Sequence, residues 1–355
     1  MSMWVGKRNC FAVFLFVTLL WSCGPRYNFF NGEFRYQPYT GEVVYVTGEP
    51  TGFDILGATG LWIEDSILVA QFLSGSEVLL SAYSLHTQQL LCKNLMLKGN
   101  GPNEYLWTDF LSSYTDPTGS KLWVSADRKM VCIDLAESIS KEKLVVFKDV
   151  DLRQFENNYS IIQSFAASDT SLVLLSIINN MEVLIGDLRT GQSVFYDWMF
   201  SEDISSQNRM TFLSSSLFYH TQKRILAGGM VFFNQVNFLS LPPDINKFSV
   251  STESRPIRYQ RLQEHYADFN EMSYYYTRGC CTDEYLICKY AGGKNRYEQE
   301  REGGHDFLHI FNWEGDLLKI IALDRRLLAI AFDSRSHTLY GIDAENEIVC
   351  YRLSV

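Results

Sequence analysis

Few residues in this chain have the types and spacing to do chemistry, and each has a competing structural use. His305-Asp306-Phe307-Leu308-His309 places two imidazoles four residues apart. That spacing joins two metal ligands on a helix, but in a strand the same residues stand roughly 13 Å apart, too far for one ion. His309 therefore reads as a satisfied strand histidine. Tyr274-Tyr275-Tyr276 with Arg278 lies in a strand-like run. Alternation would point Tyr274 and Tyr276 to one side, where phenol faces suit sugar or peptide contacts, while packing is their commoner use. The segment Ala291–Gly304 has 14 residues, far beyond an ordinary hairpin loop, with glycine pairs at both ends. Between them Lys294, Arg296, Tyr297 and Arg301 could engage an acidic or sugar ligand. Asp109 and Glu271 are two carboxylates without a third to complete a metal site. No serine-hydrolase elbow, zinc-protease helix or dinucleotide loop occurs.

The elements that must position these groups repeat. A turn rich in Asp, Ser, Thr or His precedes an apolar strand beginning at Ile67, Leu122, Leu172, Ile225, Leu286 and Leu339. The intervals between these six starts are 55, 50, 53, 61 and 53 residues, a period that marks a repeat architecture. In each unit an inner strand comes before this anchor strand and an alternating third strand after it. A fourth follows in five units: Leu90–Leu97, Leu144–Val150, Ser193–Met199, Lys247–Ser251 and Leu317–Leu323. The last unit stops after Ile348–Leu353, and Glu42–Thr47 is a strand without a partner. The fold expected is all-β, a six-bladed β-propeller of residues 39–355 closed by an N-terminal strand completing the last blade. A β-sandwich of hairpins is the alternative, and six near-equal units argue against it. In a propeller the loops from second to third strand, and from one blade to the next, share a face. That face would present Asn103, Glu104, Asp127, Arg128, Asn179, Asn180, Asn234, Asp324, Arg325, Arg326, Glu345 and Asn346.

The start of the chain reads as an export signal, residues 1–22. Lys7 and Arg8 precede the apolar run Phe11–Leu20, which is too short to span a bilayer. It ends at Ser22-Cys23, and a small residue before a cysteine makes Cys23 a candidate for lipidation, with 23–38 as a tether. Net charge is −10, or −12 once Lys7 and Arg8 are removed with the signal, which disfavours nucleic acid. Of eight cysteines, Cys92, Cys132, Cys280, Cys281, Cys288 and Cys350 would remain, mostly as free thiols within apolar strands.

Lys98-Gly99-Asn100-Gly101-Pro102-Asn103-Glu104-Tyr105 resembles the Gly-x-Gly-Pro-x-Glu-aromatic motif of TolB-like six-bladed β-propeller lipoproteins of Bacteroidetes. The likeness covers the mature chain, but only this motif is specific. It implies an exported, lipid-anchored propeller and little about activity. From the residues themselves the motif is a rigid turn: Gly99 and Gly101 permit unusual backbone angles, Pro102 fixes one, and Glu104 can cap free N–H groups. The expectation is a monomeric binding module for an envelope protein or glycan, without a cofactor, anchored on the periplasmic side of the outer membrane. The alternative is a metal-dependent, lactonase-like hydrolase or lyase working in the axial channel.

Overall fold

The computed structural model describes residues 32–73, 75–116, 119–155, 161–176, 182–198, 215–254, 272–295 and 305–355. They form six sheets built on four antiparallel strands each, in sequence order in five of them, while the sixth takes its outermost strand from the N-terminal end. The innermost strands are Ala58–Glu64, Thr108–Asp116, Ile161–Ser168, Ser215–His220, Tyr274–Cys281 and Leu327–Asp333. They meet around a common axis, and the sixth returns to contact the first. All six anchor strands expected from the repeat are present, from Ile67–Phe72 to Thr338–Asp343.

These anchor strands read as continuous apolar runs because each is covered on both faces by neighbouring blades. Ile287 packs toward the sixth blade and its neighbour Cys288 toward the fourth. The core is correspondingly divided into six clusters, one at every junction, including that between the sixth blade and the first. At this last junction Phe53 sets its ring edge-on to Tyr83 and Tyr340, with centroids 6.1 Å from each. The six cysteines in the described residues are all free.

An N-terminal strand closes the ring, as the missing outer strand of the last unit demanded, but its residues differ from those expected. Three short strands lie along successive blades: β1 (Glu33–Tyr36), β2 (Val44–Val46) and β3 (Glu49–Pro50). β1 runs parallel to Asn246–Ser251 at the rim of the fourth blade, so residues assigned to the tether already belong to the sheet system. β2, the core of the expected closing strand, runs parallel to Leu317–Leu323 of the fifth blade instead. β3 completes the sixth, pairing Glu49 with Cys350 and Pro50 with Val349. Proline is tolerated there because an outermost strand needs only one row of hydrogen bonds. Thr51 fastens the end, its N–H and hydroxyl donating to the Ile348 carbonyl at 3.1 and 2.7 Å. Alternation in Val44–Val46 is real, since Tyr45 is 81% exposed while both valines pack on the core.

Candidate functional site at the axial mouth

The described connections from the second to the third strand, and from one blade to the next, emerge on one face around the axis. The inner hairpins enter this mouth irregularly. Register shifts occur at Ala58/Gly60, Val124/Ala126, Ile161/Gln163, Tyr274/Tyr276, Tyr276/Arg278 and Leu327/Ala329, on every blade but the fourth. A bulge re-aims side chains that strict alternation would turn into the sheet.

In the fifth blade the tyrosines take the packing use that is the commoner one, and the channel-facing alternative does not hold for Tyr276. Tyr276 is fully buried between the fourth and fifth blades. Its hydroxyl lies 3.4 Å from Asn234 Oδ1 and 3.2 Å from His309 Nδ1, and burial pushes its pKa up. It is a core residue and does not face the channel. Tyr274 is half-buried and packs against Phe232, centroids 5.2 Å apart. The second shift leaves Arg278, not Tyr276, as the exposed side chain of this inner strand. His309 stacks on Tyr290 at 4.1 Å, and burial lowers its pKa to about 3, so the ring is neutral. Among the described residues no three His, Cys, Asp or Glu side chains are grouped to hold a metal.

The turns at the mouth are internally tied. Glu104 Oε2 accepts the Gly101 N–H at 2.8 Å, and a Cβ on Gly99 would fall 1.9 Å from that same oxygen. Asn103 takes the left-handed conformation, and Glu104–Tyr105 then lies parallel to the end of Leu90–Lys98. The motif is thus the turn that carries the chain from the rim of the first blade to the axis of the second. Asp127 and Arg128 form a left-handed pair, and the Asp127 carboxylate accepts the N–H groups of Leu106 and Trp107 at 2.6 and 3.1 Å. That contact fixes the Leu106–Trp107 connection across two blades. Arg325 binds Asp343 at 3.0 Å and Asp324 at 3.7 Å, while Asp324 also accepts from Gly48 N–H and the Tyr351 hydroxyl. It serves the sixth-blade seam. Lys294 is half-buried opposite Tyr274. Arg296, Tyr297 and Arg301 lie outside the described residues, as do Cys23 and Glu271.

Two features of the mouth were not foreseen. One is an ion pair, Lys289 Nζ to Asp306 Oδ2 at 3.2 Å, with side chains only 7% and 8% exposed. Asp306 also accepts the Leu327 N–H at 2.7 Å, and Lys289 donates to the Leu327 carbonyl. Together they clamp the first residue of the sixth inner strand to the fifth blade. The signal was an interruption: Lys289 is the one charge inside the apolar run Tyr285–Tyr290. The other feature is apolar. Leu56 is 79% exposed, Leu73 65%, and Leu106, Trp107 and Leu328 40% each, all at the mouth on the sixth, first and second blades. Exposed apolar side chains elsewhere, such as Leu90, Phe147, Ile245 and Leu318, are dispersed along outer strands and the opposite face.

The family model described as TolB-like 6-blade propeller-like matches residues 60–335, from the first inner strand to the sixth. The chain belongs to that family. No curated protein matches this TolB-like propeller significantly. Among solved structures it is similar to a member of the DUF4221 family from Bacteroides vulgatus, with TM-score 0.54 and 13% identity. That likeness covers 86% of this chain and 95% of the other. A Kuenenia stuttgartiensis hydrazine synthase chain aligns with TM-score 0.50 and 10% identity, over 86% and 98% of the two chains. At these identities the likeness is one of fold.

Proposed function

We propose that this TolB-like propeller is a binding module whose axial mouth takes a protein ligand. The observation that carries the reading is the concentration of Leu56, Leu73, Leu106, Trp107 and Leu328 on one sector of one face. Isolated exposed leucines are ordinary on a soluble surface, but a shared apolar sector rimmed by charge is a binding feature. Covering each such leucine contributes roughly 1.5 kcal/mol, and tryptophan and arginine are the commonest anchors of protein interfaces. A protein fits this sector better than a glycan, whose hydroxyls would lose water against leucine without replacement hydrogen bonds.

In this reading the chain is lipid-anchored through Cys23 at the cell envelope. The apolar run Phe11–Leu20 ending at Ser22-Cys23 supports it. Glu33 pairs with Phe248, near the start of the fourth blade's outer strand, so the chain enters at the end away from the mouth.

The test is site-directed photo-crosslinking of the full chain in its native cells. A photoreactive residue at Leu73 should give a discrete protein adduct that Trp107→Ser weakens. The same probe at Ile245, on the opposite face, should not. Equal adducts from both positions, or none from Leu73, would refute the reading.

A further inference from the structure

We propose that the cationic side of the mouth, built by Arg278 and Arg326, binds the terminal carboxylate of a peptide whose apolar residues lie on the leucine sector. This rests on the mouth being a protein-binding face. Arg278 is paired with Lys289 in the inner hairpin of the fifth blade, and the adjacent bulge makes it the exposed side chain of its strand. Arg326 precedes Leu327, whose backbone N–H and carbonyl are both held by the Lys289–Asp306 pair. Both guanidiniums therefore flank the same buried pair, and the positive field of each reaches Lys289. Asp306, the carboxylate of this group among the described residues, is consumed by Lys289 and Leu327 N–H. Arg278 and Arg326 are exposed and make no ion pair or hydrogen bond among the described residues, whereas the neighbouring Arg325 is tied to Asp343 and Asp324.

Charge makes the arrangement selective. In a chain of net charge −10, two unpaired arginines beside a neutralised pair form a local positive pole. A guanidinium presents planar donors matched to two oxygens, so a carboxylate is its natural complement. Leu328 is 40% exposed two residues beyond Arg326 and begins the apolar sector that continues over the first blade to Trp107. A ligand spanning both regions needs an anionic end and an apolar body. The C-terminal residues of a protein supply that combination without burying any other charge.

The experiment titrates the full chain in detergent with N-acetyl-Leu-Phe, its C-terminal amide and inorganic phosphate, following ligand NMR signals. The free acid should bind at least about tenfold more tightly than the amide, the margin expected of one charge-assisted contact. The double variant Arg278→Gln/Arg326→Gln should abolish that margin without weakening amide binding or lowering thermal stability, since both arginines are exposed and their fields oppose the buried Lys289 ammonium. Leu73→Ser/Trp107→Ser should weaken acid and amide alike. Acid and amide binding equally, with sensitivity only to the second double variant, would overturn the arginine assignment and leave the protein-binding face intact. Tighter binding of phosphate than of the acid would overturn the carboxylate assignment, and no binding of either peptide form would overturn both readings.

Discussion

Replacing Asp306 with alanine removes the partner of a buried ammonium, and the structure sets what that costs. Lys289 and Asp306 are 3.2 Å apart with side chains 7% and 8% exposed, so solvent barely screens the pair. Asp306 also holds the Leu327 N–H at 2.7 Å. Asp306→Ala therefore leaves one buried charge without a counter-ion and one backbone donor without an acceptor. Breaking such a pair from one side costs about 3–5 kcal/mol, while replacing both partners by apolar groups is near neutral. Urea denaturation followed by tryptophan fluorescence should show that loss for Asp306→Ala, and Asp306→Ala/Lys289→Met should recover most of it. Burial already lowers the Lys289 pKa, with Asp306 opposing that shift. The unfolded chain thus binds more protons than the folded one between the lowered value and the ordinary 10.5. Stability of the single variant should rise with pH across that window, as Lys289 becomes free to shed its proton. A loss under about 1 kcal/mol, or a double variant no better than the single, would refute the claim that this pair clamps the mouth.

Two further perturbations probe the frame. His309 has its pKa lowered from 6.5 to about 3, so on acidification the unfolded chain takes up a proton that the folded chain refuses. Stability should fall as pH drops from 6.5 toward 3, by at most about 4–5 kcal/mol from this residue, and His309→Phe should flatten that slope. A Cβ on Gly48 would lie 2.7 Å from the buried Tyr351 ring beside the closing strand. Gly48→Val should cost about 1–3 kcal/mol and speed amide exchange in Ile348–Arg352 ahead of the other blades; uniform exchange would contradict head-to-tail closure.

The blades were legible because anchor strands covered on both sides keep a nearly unbroken apolar run, and a fixed spacing survives variation in the turns. The need for a closing strand was equally plain, since the sixth unit carries three strands where the other five carry four. Its identity was not. Val44–Val46 has the better strand pattern, yet Glu49–Pro50 does the pairing, because two hydrogen-bonded residues leave no periodic trace. Packing, the commoner use of such tyrosines, holds for Tyr276, while alternation could not place it on the same side as Tyr274, because it presumes an unbroken register and the bulge between the two breaks it. Glu104 was read correctly as a turn cap because its capping partner, Gly101, lies three residues away. Leu56, Leu73 and Trp107 escaped notice for the opposite reason. An apolar residue beside a strand looks like core until the ring shows which faces remain uncovered.

Binding by the mouth face is open to one direct test. The most direct measurement is the affinity of the protein crosslinked from Leu73 for Leu73→Glu and for Leu90→Glu, the latter on an outer strand at the far end of the first blade. Leu73→Glu should lose at least about tenfold, equivalent to about 1.4 kcal/mol, and Leu90→Glu nothing, if the mouth is the face that binds. Equal losses, or a loss confined to Leu90→Glu, would contradict it.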